Sequence, residues 1–327
     1  MSDIGGGGDE VLLDAPGFIR VYKSGRVERF LPVDFAPPST DAATGVTSKD
    51  VPILPESGVS ARIYLPAPPS SGSYGGKLPV LVYFHGGGFC LGSAFDAAVH
   101  GHANRLAAAA GAIVVSVEYR LAPERPVPAL YGDAWAALRW VAAHAAEGQG
   151  TEPWLAAHAD LGRVHVGGES AGANIAHHAA MRAGAEELGH GVRLGALMLI
   201  HPYFLGGDSS ETDEMGAALL RELVRLWPVV CPGTSGCDDD PLINPMAEGA
   251  PSLASLGCRR LLVCLGGKDP MRGRGRLYCE KLKGSGWCGK VEDWEADGQG
   301  HGFHLLCPTS AEAEVQVRVI AEFLSYG

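Results

Sequence analysis

From residue 78 onward, short apolar runs alternate with segments of helical periodicity, and this alternation constrains the fold more than any other feature. The first run, LPVLVYF at 78–84, is continuously apolar, which is typical of a strand buried on both faces. Further strands are predicted at 112–119, 164–166, 197–200, 261–265 and 291–294. Helices are predicted at 97–110, 133–146, 171–185 and, close to the end of the chain, through 315–323. The alternation predicts an α/β fold with a mostly parallel central sheet and helices on both faces.

The chain before residue 78 departs from this alternation. Residues 1–10 are predicted as a tail, and 36–48 and 66–77, rich in Pro, Ser, Thr and Gly, as surface loops. The sequence VSARIYL at 59–65 alternates like an edge strand. The free edge of this strand is expected to be covered either by another part of the chain or by a partner. Near the other end of the chain, Thr309 and Glu312 are predicted to form a capping box before the last helix.

A second departure is the segment 205–250, for which no strand is predicted. An apolar helix is predicted at 217–230, followed by an acidic, turn-rich loop whose three aspartates at 238–240 are expected to be solvated. Because the segment lies between two strands, it is predicted to form a cap over the carboxyl edge of the sheet. The sequence contains no internal repeat, and residues 1–327 are interpreted as one domain.

Charge and composition exclude several classes of protein. The net charge of −11, without a basic cluster, argues against a nucleic-acid partner, since phosphate binding needs a basic patch. No run approaches the about 20 apolar residues of a membrane span, and the acidic N-terminus lacks the features of a secretory signal. The eight cysteines are predicted to be reduced, largely buried thiols, and no Cys/His spacing fits a zinc site. We therefore expect a soluble protein of the cytoplasm, with the nucleus as a second compartment.

A candidate nucleophile lies in VHVGGESAG at 164–172, where the pattern G-x-S-x-G falls between a predicted strand and a predicted helix. Such a turn exposes Ser170 in a strained conformation at the edge of the sheet. Gly168 and Gly172 must be small there, because larger side chains would clash across the turn. The following helix N-terminus directs its amides at a developing oxyanion. The alternative interpretation is an ordinary Gly-Ser turn.

Candidate oxyanion donors lie in His85-Gly86-Gly87-Gly88, which directly follows the first buried strand. Successive glycines expose backbone amides and let a substrate carbonyl approach closely. The alternative is a flexible glycine linker, which would not follow a buried strand so directly. His85 is expected to fix the loop by hydrogen bonding rather than to act as a base. The substitution Gly87→Ala is expected to reduce turnover far more than stability.

A nucleophilic serine needs a base and an orienting carboxylate. His301, in a Gly-rich loop between the last strand and the last helix, is the favoured base, with His304 as competitor. Asp269 is the favoured acid because it follows the carboxyl end of a strand, where catalytic groups of open α/β sheets gather. The other acids and histidines after Ser170 are less well placed: Asp238, Asp239, Asp240, Asp293, Asp297, His177, His178 and His201.

Five motifs together resemble the hormone-sensitive-lipase-type branch of the α/β-hydrolases. They are HGGGF at 85–89, YRLAPE at 119–124, GESAG at 168–172, GGKDP with Asp269, and HGFH at 301–304. Two further segments, 17–30 and 239–249, resemble the plant carboxylesterases of this branch. The resemblance implies the α/β-hydrolase fold with a helical cap.

The resemblance also implies roles for individual residues. Ser170 corresponds to the nucleophile, Asp269 to the acid and His301 to the base. The implied oxyanion hole consists of the amides of Gly87, Gly88 and Ala171. Residues from about 1–45 and about 205–250 would together form a lid over the substrate pocket. No metal or organic cofactor is required.

These residues predict a serine carboxylesterase that cleaves small-molecule esters through an acyl-enzyme on Ser170. Two alternatives stay open. The gibberellin receptor of the same plant group binds a small molecule and lacks the catalytic histidine, whereas this chain has His301. The 2-hydroxyisoflavanone dehydratases of the group eliminate water, and some carry threonine at the position of Ser170. We expect a small-molecule ester as partner, no nucleic acid or membrane, and a monomer or homodimer.

Overall fold

The computed structural model describes residues 9–68, 76–146, 148–207 and 212–325. The predicted tail at 1–10 and the predicted loop at 66–77 lie partly outside these residues. Their described parts are in neither helix nor strand. After the tail, the chain forms a small antiparallel sheet that the sequence did not indicate. Its strands are β1 (Val11–Ala15), β2 (Ile19–Tyr22) and β3 (Val27–Arg29).

The main sheet has eight strands, in the order β11-β10-β9-β8-β6-β7-β5-β4. These strands are β4 (Thr47–Leu54), β5 (Val59–Leu65), β6 (Leu78–Phe84), β7 (Ile113–Glu118), β8 (Ala159–Glu169), β9 (Leu194–Ile200), β10 (Arg260–Gly266) and β11 (Lys290–Ala296). Neighbours from β11 to β7 pair in parallel, whereas β5 pairs antiparallel with both β7 and β4. The predicted mostly parallel sheet is therefore confirmed.

Each of the five predicted helices is present, and in the described part of the chain three further helices, at 153–158, 272–283 and 303–306, were not predicted. The helices are α1 (Ala97–Ala110), α2 (Val127–Ala143), α3 (Pro153–His158), α4 (Ala171–Ala185), α5 (Glu214–Val230), α6 (Arg272–Lys283), α7 (Phe303–Leu306) and α8 (Ala311–Ser325). At the start of α8, the hydroxyl of Ser310 accepts a bond from the Ala313 amide at 3.2 Å. The predicted cap at Thr309 is therefore wrong by one residue.

Both faces of the sheet are covered, and β6 shows how its sequence allows this. Successive side chains of a strand point to opposite faces. Val80, Val82 and Phe84 belong to one core together with residues of α2 and α4. Leu81 and Tyr83 belong to a second core together with residues of α1 and α8. Because every one of these positions is apolar, β6 can occupy the middle of the sheet.

The edge of the sheet differs from the prediction. β5 is not an edge strand, because β4 pairs with it and forms the edge. The edge of β5 is therefore covered by another strand of the same chain. Arg62 of β5 is fully buried and binds Asp50 of β4 through two bonds, Nε–Oδ1 at 2.7 Å and Nη2–Oδ2 at 2.9 Å. The sequence TSKDVPIL of β4 is polar and contains a proline, so it lacks the apolar alternation by which strands are identified.

The segment 205–250 contains α5 and, within its described residues, no strand. One of its aspartates contradicts the expectation of solvation. Asp238 and Asp239 are exposed, but Asp240 is buried. Its carboxylate accepts bonds from Trp227 Nε1 at 3.1 Å, from the Leu242 amide at 2.9 Å and from the Thr234 hydroxyl. Asp240 therefore anchors the loop after α5 to the helix.

The cysteines agree broadly with the prediction. All eight are free thiols; six are buried, and Cys288 and Cys307 are exposed. Burial raises the pKa of Cys90, the cysteine closest to the glycine loop, to about 12. Among the described residues, no helix is both long and apolar enough to cross a membrane.

Candidate active site

Ser170 occupies the turn between β8 and α4, as the motif predicts. Its backbone has φ 52° and ψ −118°, a region that non-glycine residues rarely adopt and that is found mainly at functional sites. Two backbone hydrogen bonds hold the turn. The Ser170 amide donates to the Ile200 carbonyl at 2.9 Å, and the Ser170 carbonyl accepts from the Tyr203 amide at 3.1 Å. The side chain is only partly buried, so a substrate can reach it.

The glycines around Ser170 are required by close backbone packing. A Cβ on Gly168 would lie 2.5 Å from the Phe84 carbonyl oxygen and 2.5 Å from the carbonyl carbon of Gly172. A Cβ on Gly172 would lie 2.0 Å from the same Phe84 oxygen. The prediction that both positions must be small is confirmed. The turn consequently sits directly against the end of β6, from which the glycine loop starts.

Two amides of the loop after β6, those of Gly87 and Gly88, have no acceptor in the part of the chain that the structure describes. Gly87 and Gly88 have φ of +112° and +60°. Ala171 is the first residue of α4, where the backbone amide has no partner within the helix. The Gly86 amide, in contrast, donates to Glu169 Oε1 at 2.9 Å. Three candidate oxyanion donors therefore remain available to a ligand.

Gly87 is also structurally essential, which changes one expectation. A Cβ there would lie 2.1 Å from the Leu91 carbonyl oxygen, and the positive φ adds strain. The Leu91 amide donates to the Gly87 carbonyl at 2.8 Å, so the turn cannot open without losing that bond. The substitution Gly87→Ala would therefore damage the loop itself. The expected separation of turnover from stability is wrong at this position.

His85 has the loop-fixing environment that the sequence suggested. Its ring is buried and stacks on Tyr119, with centroids 4.3 Å apart and planes 14° apart. The Tyr119 hydroxyl donates to the His85 carbonyl at 2.7 Å, and His85 Nδ1 lies 2.8 Å from the Gly86 carbonyl oxygen. Burial lowers the pKa of His85, which keeps the ring neutral. These contacts fix the start of the glycine loop.

Asp269 and His301 are joined directly. Asp269 follows β10 and is 4% exposed, and its Oδ2 lies 2.8 Å from His301 Nδ1. Its other oxygen accepts the Met271 amide at 2.8 Å. The competing acids lie elsewhere. Asp293 is exposed, and its Oδ1 lies 3.3 Å from Lys283 Nζ. Asp297 is exposed in the loop after β11. The structure thus brings together the favoured acid and the favoured base.

The two groups shift each other's pKa. Burial alone would lower the pKa of His301, but the charge of Asp269, their hydrogen bond and the charge of Glu169 raise it above its usual value. Burial likewise raises the pKa of Asp269, yet the charge and hydrogen bond of His301 outweigh this effect and lower it. The pair therefore favours an ionised carboxylate beside an imidazole that accepts protons readily.

Three other histidines that follow Ser170 in the sequence fall into two groups. His177 and His178, on α4, bond to the Tyr278 hydroxyl and the Leu242 carbonyl, each at 2.9 Å, and so hold α4 to its neighbours. His304 is fully buried, and burial is the main reason that its pKa falls to about 3. Its Nε2 lies 4.0 Å from Glu169 Oε2, too far for the carboxylate hydrogen bond that His301 makes. Nothing in its surroundings suits it to act as the base.

Sequence reasoning discarded His201 as a base, but it is part of the site. It follows β9, and its Nδ1 accepts the Gly302 amide at 3.0 Å. Its ring centroid lies 5.5 Å from that of His301. Because the bond reaches the residue after His301, His201 positions the loop that carries the base. Its place at the end of a strand beside β8 and β10 was the signal that could have revealed it.

One group of side chains has donor atoms close enough for a metal ion. Among the described residues, His201, Asp269 and His301 each offer one such atom within 4.8 Å of the others. However, Nδ1 of His301 is engaged with Asp269, and Nδ1 of His201 with the Gly302 amide. A metal at this place would compete with the bonds that orient the pair. The hydrogen bonds account for the cluster.

The geometry agrees with comparisons to known proteins. Residues 81–305 match a protein family whose description is the alpha/beta hydrolase fold. The chain belongs to the α/β-hydrolase family. Among solved structures, an esterase of the archaeon Pyrobaculum calidifontis is 31% identical, with a TM-score of 0.67, over 86% of this chain and 82% of that chain. The carboxylesterase EstE1 from a metagenomic library is 26% identical, with a TM-score of 0.65, over 90% of each chain.

Plant members of the α/β-hydrolase family are similar over almost the whole chain. A 2-hydroxyisoflavanone dehydratase of Glycyrrhiza echinata is 43% identical over 319 residues, which are 96% of this chain and 96% of that protein. A probable carboxylesterase of Arabidopsis thaliana is 42% identical over 316 residues, 96% of this chain and 98% of that protein. The chain therefore belongs to the plant carboxylesterase branch of the family, as its motifs suggested.

Proposed function

We propose that this α/β-hydrolase cleaves carboxylic esters of small molecules through an acyl-enzyme on Ser170. The observation that carries the proposal is the bond between Asp269 and His301 at the sheet edge where Ser170 occupies a strained turn. Similarity to plant and archaeal esterases supports the same reaction. Sequence and structure together thus favour acyl transfer.

In the proposed mechanism, the Asp269 carboxylate holds the proton on Nδ1 of His301 and leaves Nε2 free to accept. Nε2 takes the proton of the Ser170 hydroxyl as its oxygen attacks the ester carbonyl. The amides of Gly87, Gly88 and Ala171 stabilise the oxyanion. His301 then protonates the leaving alcohol. Water, activated by the same histidine, cleaves the acyl-enzyme and releases the acid.

We also propose that about 1–45 and about 205–250 form a lid over the substrate pocket of a single domain. A contact between the two segments supports this. Nη2 of Arg225, in α5, lies 3.4 Å from the carbonyl oxygen of Asp14, in β1. α5 also covers the glycine loop, since Leu226 Cδ2 would lie 3.6 Å from a Cβ on Gly88. Trp227 packs against Phe89, with ring centroids 5.9 Å apart. The lid would thus determine which acyl and alcohol groups fit.

The substitution Ser170→Ala tests the proposed reaction. We expect kcat for p-nitrophenyl acetate and butyrate to fall by about 10⁴-fold or more, because the nucleophile is lost. Labelling by a fluorophosphonate probe should disappear in the same variant. The matched control is Ser310→Ala, which removes a hydroxyl at the start of α8 and should retain both signals. Full activity of Ser170→Ala would contradict the mechanism.

A second candidate reaction is elimination of water from a hydroxyketone, favoured by the similarity to the dehydratase of Glycyrrhiza echinata. Product analysis distinguishes the two, since a lyase releases water from such a substrate without cleaving an ester. A receptor is a less suitable alternative because the Asp269–His301 pair is intact. The eight free thiols fit a reducing compartment, and we propose the cytoplasm.

A further inference from the structure

Glu169, the last residue of β8, is a buried carboxylate next to Ser170 that the proposed mechanism does not use. It is 3% exposed. Its Oε1 accepts the Gly86 amide at 2.9 Å. Among the described residues, Oε2 accepts no hydrogen bond, and Nε2 of His304 lies 4.0 Å from it. A carboxylate buried with one bond is costly, which suggests that it has a task.

The bond to Gly86 joins two parts of the site. Gly86 begins the loop that presents the amides of Gly87 and Gly88. A Cβ on Gly86 would lie 3.2 Å from Glu169 Cγ and 3.2 Å from Ser170 Cβ. The glycine loop therefore packs directly on the nucleophile turn, and Glu169 supplies the side-chain bond that holds the two together.

The second contribution of Glu169 is electrostatic. Its charge raises the pKa of His301, after the larger effects of burial and of Asp269. Burial raises the pKa of Glu169 itself to about 7, against the Gly86 bond and the charge of His301. Asp269, His201 and His304 are the other titratable groups around His301. His201 and His304 are neutral because burial lowers the pKa of both.

We propose that Glu169 is a positioning residue for ester hydrolysis, which tethers the oxyanion loop through Gly86 and stabilises the protonated form of His301. This inference rests on the proposed function. The tether fixes the loop amides relative to Ser170 before substrate arrives. Where Glu169 is ionised, above its pKa of about 7, its negative charge favours transfer of the serine proton to His301, because it attracts the imidazolium that forms during attack.

The substitution Glu169→Gln separates the two contributions, because the amide oxygen can still accept the Gly86 bond while the charge is gone. His301 must be neutral to act as a base, so the acid limb of the kcat/KM profile reports its pKa. Loss of the negative charge lowers this pKa. We expect the acid limb for p-nitrophenyl butyrate to move to lower pH by about half a unit to one unit.

The substitution Glu169→Ala removes the tether as well. We expect the same shift of the acid limb and, in addition, a fall in kcat of about ten- to a hundredfold with little change in KM, because the amides are no longer held in register. Glu169→Asp keeps the charge and shortens the reach. It should retain the wild-type acid limb and lose part of kcat, so it tests the tether even where the other variants fold poorly.

The matched control is Glu118→Gln, at the end of β7. Glu118 Oε2 accepts from Ser93 Oγ at 2.9 Å and from the Ala94 amide at 2.6 Å, beyond the same loop. Its charge has no part in the pKa shift of His301, so the acid limb should stay in place. An unshifted limb in Glu169→Gln, or undiminished kcat in both Glu169→Ala and Glu169→Asp, would overturn the inference. A wild-type protein without ester turnover would instead refute the proposed function.

Discussion

At the scale of single residues, the orientation of His301 depends on one bond. Because Nδ1 lies 2.8 Å from a carboxylate oxygen of Asp269, that nitrogen carries a proton and Nε2 has the free lone pair. The loop around His301 is held separately, by the bond from Gly302 to His201. Position and tautomer of the base are thus set by different neighbours.

The substitution Asp269→Asn should therefore impair the chemistry and leave the fold intact. An asparagine can fill the same space, but its amide can donate to Nδ1 and stabilise the wrong tautomer. We expect kcat for p-nitrophenyl butyrate to fall by about 10³–10⁴-fold. Steady-state kinetics, together with circular dichroism to verify folding, measures the effect.

Asp297→Asn is the control for this prediction, because Asp297 is the exposed acid in the loop that leads to His301. It should keep wild-type kinetics. If Asp297→Asn lost activity and Asp269→Asn retained it, the acid would have to be reassigned to Asp297.

The candidate residues differ in how far the sequence could predict them. Ser170 and Asp269 each follow an apolar run that ends at the carboxyl edge of the sheet, and His301 follows the last strand, so their convergence could be predicted. His201 and Glu169 also lie at strand ends. Their roles depend on partners far apart in the chain, Gly302 and Gly86, and no local pattern indicates such pairs.

At the scale of elements, helix α5 of the proposed lid depends on the loop that follows it for attachment. Trp227, near its C-terminal end, is fully buried, and its indole N–H donates to Asp240 Oδ2 at 3.1 Å. Asp240 in turn accepts the Leu242 amide at 2.9 Å, which closes the loop onto the helix. The periodicity of the sequence predicts α5, but nothing in the acidic run at 238–240 indicates that its third residue, Asp240, is buried.

The substitution Asp240→Ala should destabilise the protein by about 1–3 kcal/mol, because the Leu242 amide loses its carboxylate acceptor and the Trp227 N–H keeps only the Thr234 hydroxyl. Urea unfolding monitored by tryptophan fluorescence measures the loss. Asp239→Ala, at an exposed neighbouring position, should change the free energy of unfolding by less than about 0.5 kcal/mol. Equal effects of the two substitutions would show that Asp240 has no special role.

The strands that were not predicted from the sequence share a physical cause. β4 and the sheet of β1, β2 and β3 lie at the periphery, where one face or edge is solvated. Their sequences mix charged and apolar residues without a run that demands burial on both faces. The central strands, in contrast, have to be largely apolar where both faces are covered, and this requirement made β6, β9, β10 and the buried second half of β8 predictable.

At the scale of the whole molecule, the strand order explains why the site forms. β10, β9, β8 and β6 are neighbours and parallel, so their carboxyl ends lie side by side. Asp269, His201, Ser170 and the glycine loop follow these four strands in that order. The alternation of strands and helices predicts a shared edge, but the order of strands within the sheet depends on long-range pairing.

The N-terminal sheet packs apolar side chains of β1 and β2 into the main core, and Arg29 of β3 adds polar bonds to this body. Its Nε donates to the Cys90 carbonyl at 2.7 Å and its Nη2 to the Ala122 carbonyl at 3.1 Å. The guanidinium also binds both carboxylate oxygens of Glu124, at 2.8 and 2.7 Å. Since Cys90 immediately follows the HGGGF motif, one side chain connects the proposed lid to the oxyanion loop.

The substitution Arg29→Met should therefore loosen both regions together. We expect the free energy of unfolding to fall by about 1–2 kcal/mol, because one charged group with two buried carbonyl acceptors is lost. Amide hydrogen exchange should become faster in 11–29 and also in the turn at 86–91, where the Leu91 amide is bonded to the Gly87 carbonyl.

Arg26→Met is the matched control. Arg26 lies in the same small sheet, but its partners Glu28, Asp9 and the ring of Tyr22 all belong to the N-terminal segment. Its substitution should affect exchange in that segment alone. If Arg29→Met also left exchange at 86–91 unchanged, Arg29 would not couple the N-terminal sheet to the glycine loop.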